Sequence, residues 1–163
     1  SIPTLVLARA ASVADAIALL DELVSPRWGA NYALVDASGD AAIVEKAGEH
    51  QAVRRAEDGR LWCTNHSVTE EMAPFAIDDP EKLAESSDRF EAIGRISADA
   101  PSGIERARAV LSYTGRPGAV CRYFDDDPRG NQTEWAFIAR PGEGVLEACF
   151  SHPDRDPWHR FSL

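Results

Sequence analysis

Apolar positions along this chain follow two periodicities, and the switch between them marks out its elements. Val13, Ile17, Leu20 and Val24 recur at helical spacing, with Asp15, Asp21 and Glu22 on other faces. Ser12 is placed to cap that helix, with Asp15 in the capping-box position, and Pro26 and Gly29 end it. Residues 5–10 make a shorter helix before it. From residue 30 the pattern changes. Segments 30–35, 41–45, 51–56 and 61–64 read as four strands of an antiparallel meander. Gly39 supplies the positive φ of the first turn, and Glu57-Asp58-Gly59-Arg60 forms the last.

Residues 67–80 read as irregular loop, and Pro80 opens a helix over 81–97. Ser102 and Glu105 form a second capping box, starting a helix to about Ser112 with Ile104, Ala107, Val110 and Leu111 as its apolar stripe. A strand is expected over 119–124. Segments 133–139 and 145–150 make a hairpin about Pro141-Gly142-Glu143-Gly144, and 158–163 a last edge strand. Strands grouped apart from helices predict an α+β fold, an antiparallel sheet with packed helices, with 1–163 as a single domain.

Composition narrows the function classes. The 163 residues are 44% apolar and 27% charged, which is ordinary for a globular chain with a real core. A net charge of −10 argues against nucleic acid as partner, since that needs a basic face to displace counterions. No apolar run approaches a membrane span, and no signal peptide is visible. Three cysteines, Cys63, Cys121 and Cys149, suggest no disulfide framework and are expected in a reducing, cytoplasmic setting.

The most informative segment is Leu61-Trp62-Cys63-Thr64-Asn65-His66, where an apolar run breaks into a polar loop. A strand end is a good place to hold a side-chain amide over a reacting centre. Around it stands an ordered pattern: Gly29 to Asp36, Ser38-Gly39, Ile43-Val44-Glu45, Cys63-Thr64-Asn65-His66, then Ser86-Ser87-Asp88-Arg89-Phe90 on a helix. That pattern resembles the later half of the linear-amide C–N hydrolases with an N-terminal nucleophile. Among these it is most similar to the acyl-coenzyme A:isopenicillin N acyltransferase-like proteins. Choloylglycine hydrolases and penicillin V acylases, with Thr-Asn-Ser-Pro in place of Thr-Asn-His, are more distant.

The resemblance implies the C-terminal part of an αββα sandwich. It also implies an autoprocessed cysteine whose α-amino group is the base and whose thiolate attacks a linear amide or acyl thioester. It places Asn65 as the oxyanion donor and Arg89 as the cation that supports the nucleophile. None of the three cysteines sits in the nucleophile's context, so the Cys is expected in a missing N-terminal portion, and this chain alone is expected to be inactive. Its partners would be that N-terminal portion of the precursor, or a second copy covering an exposed apolar sheet face, and a small-molecule acyl substrate. No cofactor and no metal is expected.

Other readings stand beside this one. His66 reads as a loop residue rather than a base, Ser1 as a remnant rather than a nucleophile, and Asn31 is undecided. Arg89 alone would read as a surface ion-pair partner of Glu85. Asp36 and Glu45 fit turn and strand-end roles. Cys63-x-x-His66 and Cys149-x-x-His152 form two pairs that suit zinc if their strands are neighbours. Asp125-Asp126-Asp127, with Asp154 and Asp156, reads as a solvated turn rather than a calcium loop. The alternative to an enzyme part is a non-catalytic α+β module that binds an acyl ligand or a protein.

Overall fold

Ser1 and Ser12 each open a helix. In the computed structural model, which describes residues 1–26, 29–126 and 130–162, helix α1 spans Ile2–Arg9 and α2 Val13–Glu22. The Ser12 hydroxyl accepts from the Asp15 amide at 3.1 Å, and the Asp15 carboxylate accepts in return from Ala11 N at 3.2 Å. The sequence-predicted cap is therefore formed, its return bond reaching one residue further back. Two compact units follow one another along the chain, Ser1–Ser86 and Ser87–Leu163.

In the first unit, strands β1 (Ala30–Val35), β2 (Ala41–Ala47) and β3 (His50–Arg55) form an antiparallel sheet in the order β1-β2-β3. The register sets Tyr32 opposite Val44 and Leu34 opposite Ala42, so these side chains share one face. Leu20, Val6 and Ala16 from the two helices pack against Val44 on that face, with Tyr32 and Leu34 around them. Burying a Leu as fully as Leu20 contributes about 1.5–3 kcal/mol. The opposite face carries Asn31 across from Glu45, and Ile43 across from Arg54. β2 is buried from Ala42 to Ala47, including Glu45 and Lys46. Glu45 is thus mid-strand, not at a strand end.

Two sequence expectations fail here. Residues 61–64 are not a fourth strand; after the Glu57–Arg60 bridge the chain leaves the sheet. The loop over 67–80 contains a 3-10 turn, Glu70–Phe75, with Met72 fully buried. Helix α3 then runs Pro80–Asp99, and the unit boundary falls within it.

In the second unit, α4 is Ile104–Leu111, and β4 (Ala136–Arg140), β5 (Val145–Cys149) and β6 (His159–Ser162) form a second antiparallel sheet in that order. The hairpin and the edge strand are as the pattern predicts. The Ser102–Glu105 cap is not: Gly103 takes the cap position at φ 77, ψ −143, and no side-chain bond closes it. Residues 119–124 are not a strand either. Val120 N and Cys121 N both donate to the Tyr113 carbonyl, and Arg122 N donates to the Thr133 hydroxyl, so the segment's donors leave no ladder to build. One face of the sheet buries Ala136, Ile138, Val145, Glu147 and Cys149. On the other, Phe137, Phe150 and Phe161 are exposed, with Trp135 stacked on Phe137. The molecule is α+β, with two small antiparallel sheets and several helices. Among the described residues no helix is long and apolar enough to cross a membrane.

Candidate functional site

The polar face of the first sheet holds the loop that carries Asn65. Asn31 on β1 gives both of its amide hydrogens away, one to the Thr64 carbonyl and one to the His66 carbonyl, each at 2.8 Å. Those two residues flank Asn65. Opposite Asn31, the fully buried Glu45 carboxylate accepts from Val68 N (3.0 Å), Thr69 N (3.1 Å), the Thr69 hydroxyl (2.9 Å) and Arg54 Nε (2.8 Å). Arg54 Nη2 also donates to the Trp62 carbonyl at 3.0 Å. A buried carboxylate is tolerable only with its lone pairs engaged, and here they are engaged by the loop itself.

The third anchor comes from α3. Ser86, fully buried, accepts from the Asn65 backbone N–H at 2.9 Å and donates to Thr64 Oγ1 at 3.0 Å. Thr64 Oγ1 donates to the Ser86 carbonyl at 3.0 Å. His66 Nδ1 lies 2.8 Å from Ser86 Oγ. Thr64 Oγ1 lies 3.1 Å from the same nitrogen, so Ser86, Thr64 and His66 close a ring of side-chain polar contacts. His66 is thus one member of the side-chain ring that holds the loop. Asn65 is exposed while the residues on either side are half-buried.

Arg89 is half-buried on α3, three residues after Ser86, and belongs to the second unit. Asn31, Glu45 and Ser86 are the residues the sequence reading left without a site role. One signal for them was available. Asn31 and Glu45 interrupt strands that are otherwise apolar, and a polar residue inside such a strand needs a partner.

The other candidates resolve locally. The Ser1 hydroxyl bonds Thr4 Oγ1 at 2.8 Å while capping α1. Cys63 lies outside any strand and Cys149 on β5, so the neighbouring-strand condition for zinc is not met. Among the described residues no group of three or more His, Cys, Asp or Glu side chains could hold a metal ion. Asp127 lies outside the described residues. Asp154 and Asp156 are bonded within the protein, to Tyr123 and Cys121 and to His152 N respectively.

Two of the three thiols, Cys63 and Cys121, are pushed away from the thiolate form. Desolvation pushes the Cys63 thiol up, with the Arg54 charge opposing it. Burial and the bond to Asp154 push Cys121 up to about 11. Cys149 is fully buried, with Sγ directed at the Asp156 carbonyl at 3.8 Å.

A family model described as acyl-coenzyme A:6-aminopenicillanic acid acyl-transferase matches residues 3–155. The chain belongs to that acyltransferase family. Membership spans both units and bears out the resemblance drawn from the Thr-Asn-His and Ser-x-x-Arg-Phe segments. It carries acyltransferase- or hydrolase-like function at the level of the family. No curated protein and no solved structure is a significant match to the chain.

Proposed function

We propose that this chain supplies the oxyanion-stabilising part of a cysteine N-terminal-nucleophile acyltransferase or amide hydrolase, acting on linear amides or acyl thioesters. The supporting observation is the seat of Asn65. Its own N–H and the carbonyls on both sides are each taken by a side chain, from Ser86 and Asn31. A donor amide must be fixed before charge develops if it is to stabilise a transition state without reorganising.

In the proposed cycle a thiolate attacks the acyl carbon, a C–S bond forms, and the carbonyl oxygen becomes an oxyanion that accepts from the Asn65 side-chain N–H. Collapse expels the amine or thiol, which takes the proton held by the nucleophile's α-amino group. Water or an acceptor amine then releases the acyl group. Arg89 is assigned the supporting cation. The nucleophile is assigned to a segment preceding this one in the same precursor. A thiol at about 11, like Cys121, is ionised in only about one molecule in 10⁴ at neutral pH, which argues against Cys121 as that nucleophile.

The test is kcat of the full-length protein with Asn65→Ala. Loss of one oxyanion donor lowers kcat by about 10²–10³-fold. Turnover at the wild-type rate, measured as thiol release from octanoyl-coenzyme A or 4-nitroaniline release from its octanoyl amide, removes Asn65 from the mechanism.

A further inference from the structure

We propose that Asn31 and Ser86 are positioning residues for the acyl-transfer step, acting through Asn65; the proposal rests on Asn65 being the oxyanion donor. Segment 61–66 has no strand ladder to fix it. What fixes it is side chains reaching in from residues far along the chain. Asn31 draws the Thr64 and His66 carbonyls to one nitrogen, so the backbone on either side of Asn65 converges on a single point of β1. That point is itself rigid, because Asn31 pairs with the buried strand β2 in register with Glu45. Ser86 holds the remaining backbone group, the Asn65 N–H, from the helix side.

The arrangement has little slack. Asn31 has two amide hydrogens and both are used at 2.8 Å. An aspartate there has the same shape but turns lone pairs toward two carbonyls, so two attractions become two repulsions. Ser86 is fully buried, and removing its hydroxyl leaves the Asn65 N–H without that acceptor. Neither side chain need touch a substrate to matter. A displacement of about 1 Å at a catalytic group costs about 10²-fold in rate.

The test compares the full-length protein with Asn31→Asp, Ser86→Ala and each of these combined with Asn65→Ala, on octanoyl-coenzyme A and octanoyl 4-nitroanilide. Alone, each clamp variant is expected to lower kcat by about 10–100-fold with KM within about threefold. In the Asn65→Ala background the same changes are expected to alter kcat by less than about twofold, because the group they position is gone. Independent of turnover, exchange of the Asn65 amide hydrogen should speed by about tenfold or more in both variants, with the Val44 amide as in wild type. Where Asn31→Asp does not fold, Asn31→Ser, which gives up both amide donors at small volume, takes its place.

Wild-type kcat or unchanged Asn65 exchange in the clamp variants overturns the proposal while leaving Asn65 as donor. So does a full multiplicative loss in the Asn65→Ala background. Wild-type turnover in Asn65→Ala itself overturns the oxyanion assignment, and the positioning role with it.

Discussion

Glu45 and Glu147 occupy the same kind of place in two different sheets. Each lies on the middle strand of a three-stranded antiparallel sheet, each is buried, and each is paired to arginine. Their partners differ. Glu45 takes two backbone N–H groups and a hydroxyl from residues 68 and 69 besides Arg54. Among the described residues Glu147 takes guanidinium donors, Arg108 from α4 at 2.7 Å and Arg140 from β4 at 3.2 Å. The first carboxylate holds a loop in shape; the second straps a helix to a sheet. A buried charge in the first unit serves the candidate site, and one in the second serves packing.

Removing the two carboxylates should separate these roles most sharply. Glu45→Ala removes the acceptor of two backbone N–H groups, the Thr69 hydroxyl and Nε of Arg54, a side chain only 18% exposed, and is expected to cost about 3–5 kcal/mol. Glu147→Ala releases Arg108, already 40% exposed, and Arg140, which keeps its pair with Glu143, and is expected to cost about 1–2 kcal/mol. Urea midpoints with unchanged slope measure both. Equal losses would erase the distinction between the two carboxylates.

The tyrosines give a second, smaller contrast. Burial alone raises the Tyr32 phenol in the first unit. In the second, Tyr123 is pushed up to about 12, chiefly by donating to Asp154, with burial adding to it. Burial pulls the Asp154 carboxyl upward, but the bonds from Tyr123 and Cys121 outweigh that and hold it below the usual carboxylate range. The signs follow. The raised phenol contributes its stability in full below its ordinary value of about 10 and loses it as pH rises toward 12. The lowered carboxyl contributes above its ordinary value of about 3.9 and loses it as pH falls through the folded value. In Asp154→Asn, absorbance titration should show the Tyr123 phenol returning toward 10 while Tyr32 stays where it was. A phenol still titrating near 12 would sever Tyr123 from Asp154.

The first unit was legible in sequence wherever a residue's partners are its neighbours. The α2 cap and the β1–β2 turn both rest on contacts within a few residues, whereas Val24, given to the α2 stripe by its spacing, lies beyond the helix and is exposed. Residues 61–64 were misread for the opposite reason. Their composition is that of a strand, but Trp62, Thr64 and His66 give their carbonyls to Arg54 and Asn31, and Thr64 gives its hydroxyl to Ser86. Two of these three partners lie more than 20 residues away, beyond the reach of local propensity. For the candidate site, the Thr-Asn-His and Ser-x-x-Arg-Phe segments name Asn65 and Arg89 as candidates, but say nothing of what holds Asn65. Asn31 and Glu45 stood in plain view as polar residues in apolar strands, and only the register, which sets them opposite each other, shows what they do together.

The smallest effect tests two sequence signals that look alike. Ser12-x-x-Asp15 and Ser102-x-x-Glu105 both carry the capping pattern, yet only the first closes. Gly103 intervenes in the second: at φ 77 it turns the chain in a way an L side chain resists, and takes the cap position from its neighbour. Ser102 is consequently exposed and one residue too early. Ser12→Ala should therefore cost about 1 kcal/mol, the usual value of a side-chain cap. Ser102→Ala should stay within about 0.5 kcal/mol, as surface substitutions do. Gly103→Ala is the sharper partner experiment. If the positive φ is what displaces the cap, that variant should destabilise by more than the loss of Ser102, with the difference read from the same urea midpoints. A Ser102→Ala loss equal to that of Ser12→Ala would mean that the serine, not the glycine, starts α4.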